Sequence, residues 1–126
     1  MITVGNHYKI HVSRALRAQT DALYRGALEA KPRLGSSDDT VIYELAASTP
    51  MPTIVGIFYR AESEVLTSEE HLRATWLELK SSDVAATKAR LVALGVREVE
   101  TPDKARFFFQ APGGQVYRLA SFDDAA

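Results

Sequence analysis

The chain contains no cysteine, which excludes disulfide bridges, thiolate metal sites and a cysteine nucleophile. This absence is compatible with a reducing compartment, and we expect a cytoplasmic protein. Residues 1–6 lack a basic stretch followed by an apolar run, and no segment approaches the ~20 apolar residues that a membrane span needs. The sequence therefore predicts neither secretion nor membrane insertion.

A strong charge of either sign is also missing, since the formal net charge is -1 and charged residues make up 25% of the chain. Lysine and arginine are scattered among acidic residues rather than clustered with aromatic ones, so no nucleic-acid partner is predicted. The chain has no nucleophile elbow, paired-carboxylate arrangement, phosphate loop or nucleotide fingerprint. Gly113-Gly114 resembles a turn, because no helix follows it to offer an N-terminus.

What the chain does have is one order of elements that occurs twice. The segment from Trp76 to Leu119 predicts a strand, a capped helix and three short strands, and Asn6 to Arg60 repeats that order with a weaker signal. With 126 residues, two such modules are too short to be stable separately. We therefore expect one folding unit of the α+β class.

The first module begins with alternating side chains, because Tyr8, Ile10 and Val12 share one face of a strand from His7 to Ser13. A helix from Arg14 to about Ala30 is capped by Ser13 and ended by Lys31-Pro32. The remaining predictions for this module are a turn at Leu34–Asp39, strands at Thr40–Ala46 and Thr53–Arg60, and a short strand near Arg33 that would complete the repeat.

A polar connection over residues 61–74 follows, with a helical turn starting at Thr67 or Ser68 and with His71 on the surface. In the second module Asp83 caps a helix over Val84–Leu94, whose inner face includes Leu94, and Gly95 ends it. The strands predicted around this helix are Thr75–Lys80, Val96–Glu100, Ala105–Gln110 and Gln115–Ala120. Residues 123–126 are expected to form a frayed tail.

Two stretches of the second module, Ser82-Asp83-Val84-Ala85-Ala86 through Leu94-Gly95-Val96 and Phe108 to Gln115, resemble the vicinal oxygen chelate superfamily. Leu23 to Leu28 resembles the Phe-Tyr helix ending of its first module. The superfamily includes glyoxalase I, extradiol dioxygenases, fosfomycin resistance enzymes and bleomycin resistance proteins. The resemblance implies two βαβββ modules, about 5–60 and 75–120, forming a curved mixed sheet around a shared cleft, often within a homodimer. Pairing of the modules within one chain or between protomers stays open.

In metal-binding members of this superfamily, a histidine on the first strand and a carboxylate on the last strand of each module hold a divalent ion. His7 matches the first of these positions. The corresponding positions of the second module carry Trp76, counted back from Asp83, and Arg118, counted on from Pro112. An indole does not ligate a cation and a guanidinium repels one. Tyr59 is the only candidate near the fourth position, so we expect no metal and no other cofactor.

Seven residues are the candidate ligand contacts, and for one of them, Phe108, the side-chain parity stays open until the strand register is known. They are His7, Lys9, His11, Trp76, Glu78, Phe108 and Arg118. Trp76 is either an aromatic wall for a ligand or a packed core residue, and Arg118 either binds an anionic group or pairs with Glu78. His7 and His11 either contact the ligand or are solvated, and Tyr43 and Tyr59 are further candidates for the cavity wall.

The favoured function is metal-independent binding of a partly apolar or aromatic anionic small molecule in the cleft, similar to that of bleomycin resistance proteins. The alternative is a metal-dependent lyase, dioxygenase or transferase of the glyoxalase type, using a shifted site at His7, His11 and Glu78. A third possibility is a regulatory subunit whose cleft is closed by Glu78 and Arg118. Members of one fold differ in reaction, so the sequence does not name a substrate.

Overall fold

The computed structural model describes residues 1–34 and 37–124 of the chain. These residues form two compact units, one from Met1 to Val65 and one from Leu66 onwards, and each contains a four-stranded mixed sheet. The boundary between the units lies inside the connection expected at residues 61–74. The α+β class and the two repeated modules are therefore confirmed.

The first unit has the predicted βαβββ order, and its sheet has the strand order β1-β4-β3-β2. Its strands are β1 (His7–Ser13), β2 (Lys31–Leu34), β3 (Thr40–Leu45) and β4 (Thr53–Arg60). Its helical segments are a 3₁₀ turn (Arg14–Leu16), α1 (Arg17–Asp21), a π-helix (Ala22–Ala27) and a second 3₁₀ turn (Glu62–Glu64). The short strand expected near Arg33 is β2. Gly35 and Ser36 of the predicted turn lie outside the described residues.

The core of the first unit lies between the helical segment and one face of the sheet. Val55 and Ile57 of β4 are fully buried there, together with Tyr24 of the π-helix. Tyr43 and Tyr59 lie on this same face and are each 1% exposed, so they are not on the sheet face that carries His7, Lys9 and His11. The registers fix this placement, because Tyr43 pairs with Val55 and Tyr59 pairs with Val12, and both partners face the helix.

The second unit begins with α2 (Ser68–His71), a single helical turn in which Thr67 and Glu70 form a capping box. The other elements are β5 (Leu77–Ser81), α3 (Val84–Ala93), β6 (Arg97–Glu98), β7 (Phe107–Gln110) and β8 (Val116–Ser121). The strand order is β5-β8-β7-β6, with β5 parallel to β8 and the other pairs antiparallel. β6 is shorter than predicted.

Helix α3 has the predicted ends. Asp83 accepts a hydrogen bond from the backbone N–H of Ala86 at 3.0 Å, and Gly95 has a φ of 78°. Thr87 and Leu91 are buried against the sheet, but Leu94, the C-cap residue of α3, is 48% exposed, so its predicted place on the inner face was wrong. Phe107 and Phe109 of β7 stack at 5.6 Å on the helix side of the sheet.

The end of the second unit is held by ion pairs. Arg106 Nε and Nη2 donate to the two carboxylate oxygens of Asp124, each at 2.6 Å, and Lys80 Nζ donates to the Asp124 carbonyl at 2.7 Å. The prediction of a frayed tail was therefore wrong for Asp124, because the partner arginine lies 18 residues earlier in the chain. Residues 125 and 126 lie outside the described part of the chain.

None of the helices in the described ranges has the length and apolar character that crossing a bilayer requires.

Candidate functional site

The candidate site of the second unit is on the face of its sheet that is turned away from α3, called here the far face. Strand pairing places Glu78 of β5 beside Arg118 of β8, and Arg118 beside Phe108 of β7. Paired residues of neighbouring strands share a face, so these three side chains lie in one row across the sheet. The neighbours of Phe108 in sequence, Phe107 and Phe109, point to the α3 side.

The row contains the ion pair that the sequence suggested as one of two roles for Arg118. Arg118 Nε donates to Glu78 Oε2 at 2.7 Å, and Arg118 Nη2 donates to the same oxygen. Each of the two side chains is 28% exposed. Lys80 Nζ lies 3.7 Å from the other oxygen of Glu78. One carboxylate therefore faces two cations, and the three groups together carry one net positive charge.

Trp76 lies at the end of this row, immediately before β5. Its indole ring is 5.8 Å from the ring of Phe108, tilted by 60°, and its Nε1 donates to the carbonyl of Leu72 at 3.2 Å. The side chain is partly accessible, because the residue is 39% exposed, whereas Phe108 is 8% exposed. Trp76 is therefore not fully buried, and its ring forms part of the accessible surface of the far face.

Helix α2 borders the far face at the turn between β7 and β8. Gln110 Nε2 donates to the carbonyls of Ser68 and Gly114 at 2.8 and 2.9 Å. Gln110 Oε1 and His71 Nδ1 are buried and have no hydrogen-bond partner among the described residues. The surface placement expected for His71 was wrong, because its ring packs against Gly114 and the residue is 7% exposed. Burial lowers the pKa of His71.

The start of helix α2 was predictable from the sequence. Thr67 and Glu70 have the spacing of a capping box, which places a helix N-terminus at Thr67. The burial of His71 was not predictable in the same way, because Gly114 is more than 40 residues away in the chain and the close contact requires that residue 114 has no Cβ.

In the first unit, His7, Lys9 and His11 lie on the sheet face opposite α1, as their alternation predicted, and all three are exposed. Lys9 Nζ lies 5.2 Å from the ring centre of Phe58 on β4, and the ring of His11 lies 5.7 Å from it. Phe58 leans over Gly56, where an added Cβ would come within 3.3 Å of the ring. Lys9 and His11 thus lie beside the ring of Phe58, which the sequence analysis did not identify as a candidate site residue.

The donor groups of the second unit do not fit the divalent metal that the resemblance implies. The carboxylate of Glu78 is engaged by Arg118 and Lys80, the position of the expected carboxylate holds the guanidinium of Arg118, and the indole of Trp76 donates to a carbonyl. Positive charge at these positions opposes a cation. In the described part of the chain, no three His, Asp or Glu side chains come together closely enough to hold a metal ion.

Solved structures of several proteins resemble this chain over nearly its whole length. The genomically encoded fosfomycin resistance protein FosX from Listeria monocytogenes is 16% identical, with a TM-score of 0.65 over 100% of this chain and 96% of that chain. A mutant of that protein was crystallised with Mn(II) and 1S,2S-dihydroxypropylphosphonic acid. A glyoxalase family protein from Bacillus anthracis is 9% identical, with a TM-score of 0.67 over 96% and 97% of the two chains.

Glyoxalase I from Leishmania major is 15% identical and has a TM-score of 0.63, covering 95% of this chain and 87% of that chain. No protein-family model and no curated protein sequence matches the chain. The structural similarity shows a common fold, which is the fold that the resemblance to the vicinal oxygen chelate superfamily implied. They do not assign an activity, because proteins of one fold differ in their sites.

Proposed function

We propose that this protein binds a small, partly aromatic or apolar anion on the far face of its second sheet, and that it does so without a divalent metal and without chemistry. The observation that carries the proposal is the row of Trp76, Phe108, Arg118 and Glu78, in which an aromatic pair adjoins a charge cluster with one net positive charge. Aromatic rings offer a flat ligand a stacking surface, and a guanidinium recognises carboxylate or phosphonate groups.

The ion pair itself sets the electrostatics of this site. Glu78 holds Arg118 in a fixed orientation, and an incoming anion has to share or displace that contact. Lys80 keeps the cluster positive while both partners are charged. Removal of the carboxylate should therefore strengthen anion binding, whereas removal of the guanidinium should weaken it.

Phenylphosphonate is a suitable probe, because it joins one aromatic ring to one anionic group. Trp76 is the only tryptophan, so selectively excited tryptophan fluorescence reports on this site. We expect saturable quenching, binding about tenfold weaker in Arg118→Gln, and tighter binding in Glu78→Gln. Arg97→Gln is the matched control, because it breaks an exposed pair with Glu69 in the same unit. If phenylphosphonate, other aromatic anions and a broader metabolite or antibiotic panel neither change Trp76 fluorescence nor raise the melting temperature, the proposal is wrong.

The metal-independent part of the proposal has its own measurement. Protein purified without a chelator should contain less than stoichiometric Zn, Ni, Mn and Fe, and phenylphosphonate binding should be insensitive to added chelator. Stoichiometric metal that is lost in His7→Ala would instead support the glyoxalase-type enzyme.

The resemblance also supports a homodimer, and the absence of cysteine supports a cytoplasmic location. Sedimentation measurements would test the homodimer.

A further inference from the structure

A covered end of the far face lies next to the Glu78–Arg118 pair. Lys80 follows Glu78 by two residues on β5 and therefore shares its face, whereas Ser81 contacts α3 on the other side. Lys80 pairs with Ala120 of β8. Ala120 is 2% exposed although it is on the far face, so this end of the face is already occupied.

The segment after β8 turns back toward this end. The backbone N–H of Asp124 donates to the carbonyl of Ser121 at 3.2 Å, which closes a tight turn. The Asp124 carbonyl accepts from Lys80 Nζ at 2.7 Å, and the Asp124 carboxylate accepts from Nε and Nη2 of Arg106, each at 2.6 Å. Arg106 directly precedes β7 and lies two residues before Phe108, so it continues the far face of that strand. The carboxylate of Asp124 is thus an internal anion at this end of the far face.

We propose that Arg106 and Lys80 form a second anion subsite of the far face, that Asp124 occupies it in the free protein, and that a ligand with two carboxylate groups displaces Asp124. This rests on the proposed function, because the first carboxylate of the ligand binds at Arg118. The preferred ligand is then an aromatic dicarboxylate, and Asp124 is an autoinhibitory group.

The guanidinium of Arg106 has two separate edges for hydrogen bonding. Nε and Nη2 form the edge that Asp124 occupies, whereas Nη1 donates to Asp103 Oδ2 at 2.8 Å. Asp103 therefore keeps Arg106 in place when Asp124 leaves. The edge that becomes available offers an incoming carboxylate the same bidentate contact, so one carboxylate replaces another.

The turn that carries Asp124 is suited to release. Phe122 within the turn is 66% exposed and Asp123 is also exposed, so the segment buries little apolar surface. Segments with few buried apolar contacts open at a low cost in free energy. Displacement of Asp124 breaks charged contacts that the ligand itself replaces, apart from the bond between Lys80 and the Asp124 carbonyl.

The two arginines are close enough for one small ligand to reach both. Arg118 pairs with Phe108, and Arg106 lies two residues earlier on the same side, so the two arginines are diagonal neighbours. Diagonal neighbours on adjacent strands are roughly 7–8 Å apart. Phe108 lies beside both arginines and provides an aromatic surface there. Two carboxylates joined by a two-carbon chain that carries an aromatic ring match this arrangement.

Benzylsuccinate tests the proposal, with 3-phenylpropionate as the probe that lacks the second carboxylate. We expect Asp124→Asn to tighten benzylsuccinate binding, measured by Trp76 fluorescence, about tenfold, and to change 3-phenylpropionate binding less than about threefold. Asp123→Asn is the matched control, because it removes the same charge from the neighbouring exposed residue and should leave both affinities nearly unchanged. Arg106→Gln should reduce the affinity for benzylsuccinate to that for 3-phenylpropionate.

Hydrogen exchange at the Asp124 amide provides a readout that does not depend on Trp76. Saturating benzylsuccinate should accelerate this exchange in the wild-type protein, and 3-phenylpropionate should not. Equal effects of Asp124→Asn and Asp123→Asn on benzylsuccinate binding, or unchanged Asp124 exchange with benzylsuccinate bound, would overturn the proposal. If phenylphosphonate and 3-phenylpropionate still bind in that case, the second subsite fails alone. If no aromatic anion binds to any variant, the proposed function fails with it.

Discussion

Replacement of Gly114 by alanine tests the contact between α2 and the turn that joins β7 to β8. A Cβ at this position would lie 2.8 Å from His71 Cδ2, 3.0 Å from Ser68 Cα and 3.3 Å from His71 Cγ. Gly114 also has a φ of 109°, which side-chain-bearing residues rarely adopt. We expect Gly114→Ala to lower the free energy of unfolding by more than a positive φ alone explains.

The magnitude follows from two contributions. A non-glycine residue in a sparsely populated backbone region costs roughly 1–3 kcal/mol. Overpacking against a rigid neighbour costs roughly another 1–3 kcal/mol, and here Ser68 Cα is backbone that moves only if α2 moves. The expected total is therefore about 2–6 kcal/mol, a large fraction of the stability of a small domain.

Two other glycines separate these contributions. Gly95 has a φ of 78° but open space around its Cβ position, so Gly95→Ala should show the backbone cost alone. Gly26, in the π-helix, has neither a positive φ nor a close neighbour, and Gly26→Ala should stabilise by roughly 0.5–1 kcal/mol. Urea unfolding followed by circular dichroism gives the three values, and Trp76 fluorescence follows the second unit. The reasoning is refuted if Gly114→Ala and Gly95→Ala differ by less than about 0.5 kcal/mol.

Three further substitutions test individual contacts. Asp83→Ala removes the N-cap of α3 and should cost about 1 kcal/mol in urea unfolding, while Ser82→Ala should cost little. Because burial lowers the pKa of His71 in the folded state, stability should fall as pH drops below about 6.5, and His71→Gln should flatten that dependence. Arg106→Gln should increase hydrogen exchange at the Asp124 amide and lower the melting temperature, and unchanged exchange would contradict a held C-terminal segment.

Features set by neighbouring residues in the chain were predictable from the sequence. The alternation in β1 gave the correct exposed face, and the residue types at Ser13, Asp83 and Gly95 gave correct helix ends. The Glu78–Arg118 pair was also predictable. The position of β5 was counted back from the helix cap Asp83, and that of Arg118 was counted on from the turn residue Pro112. Alternate residues of a strand share a face, so both side chains were expected on the same face of the sheet. These predictions rested on residue type and on the alternation of apolar and polar residues, and they required no knowledge of contacts with distant residues.

The incorrect predictions share a different origin. His71 and Asp124 each have a partner far along the chain, so their surroundings depend on tertiary packing. Tyr43 could point to either face until its register with β4 was known, and one residue of slip would have reversed it. Asp124 is polar and close to the end of the chain, and only the fold brings Arg106 and Lys80 to it.

The arrangement of charge, more than the fold, distinguishes the candidate site from the metal centre that the resemblance implies. Where that resemblance places a carboxylate on the last strand, this chain has Arg118, and its guanidinium binds the only carboxylate in the row. With Lys80 also beside Glu78, the row is positive and repels the ion that a carboxylate would attract. The same charge lies beside the rings of Trp76 and Phe108, and this arrangement is the basis of the proposal that the ligand is an aromatic anion. The proposal therefore predicts that the residue at one strand position, Arg118 in place of a carboxylate, sets the charge of the ligand that this framework binds.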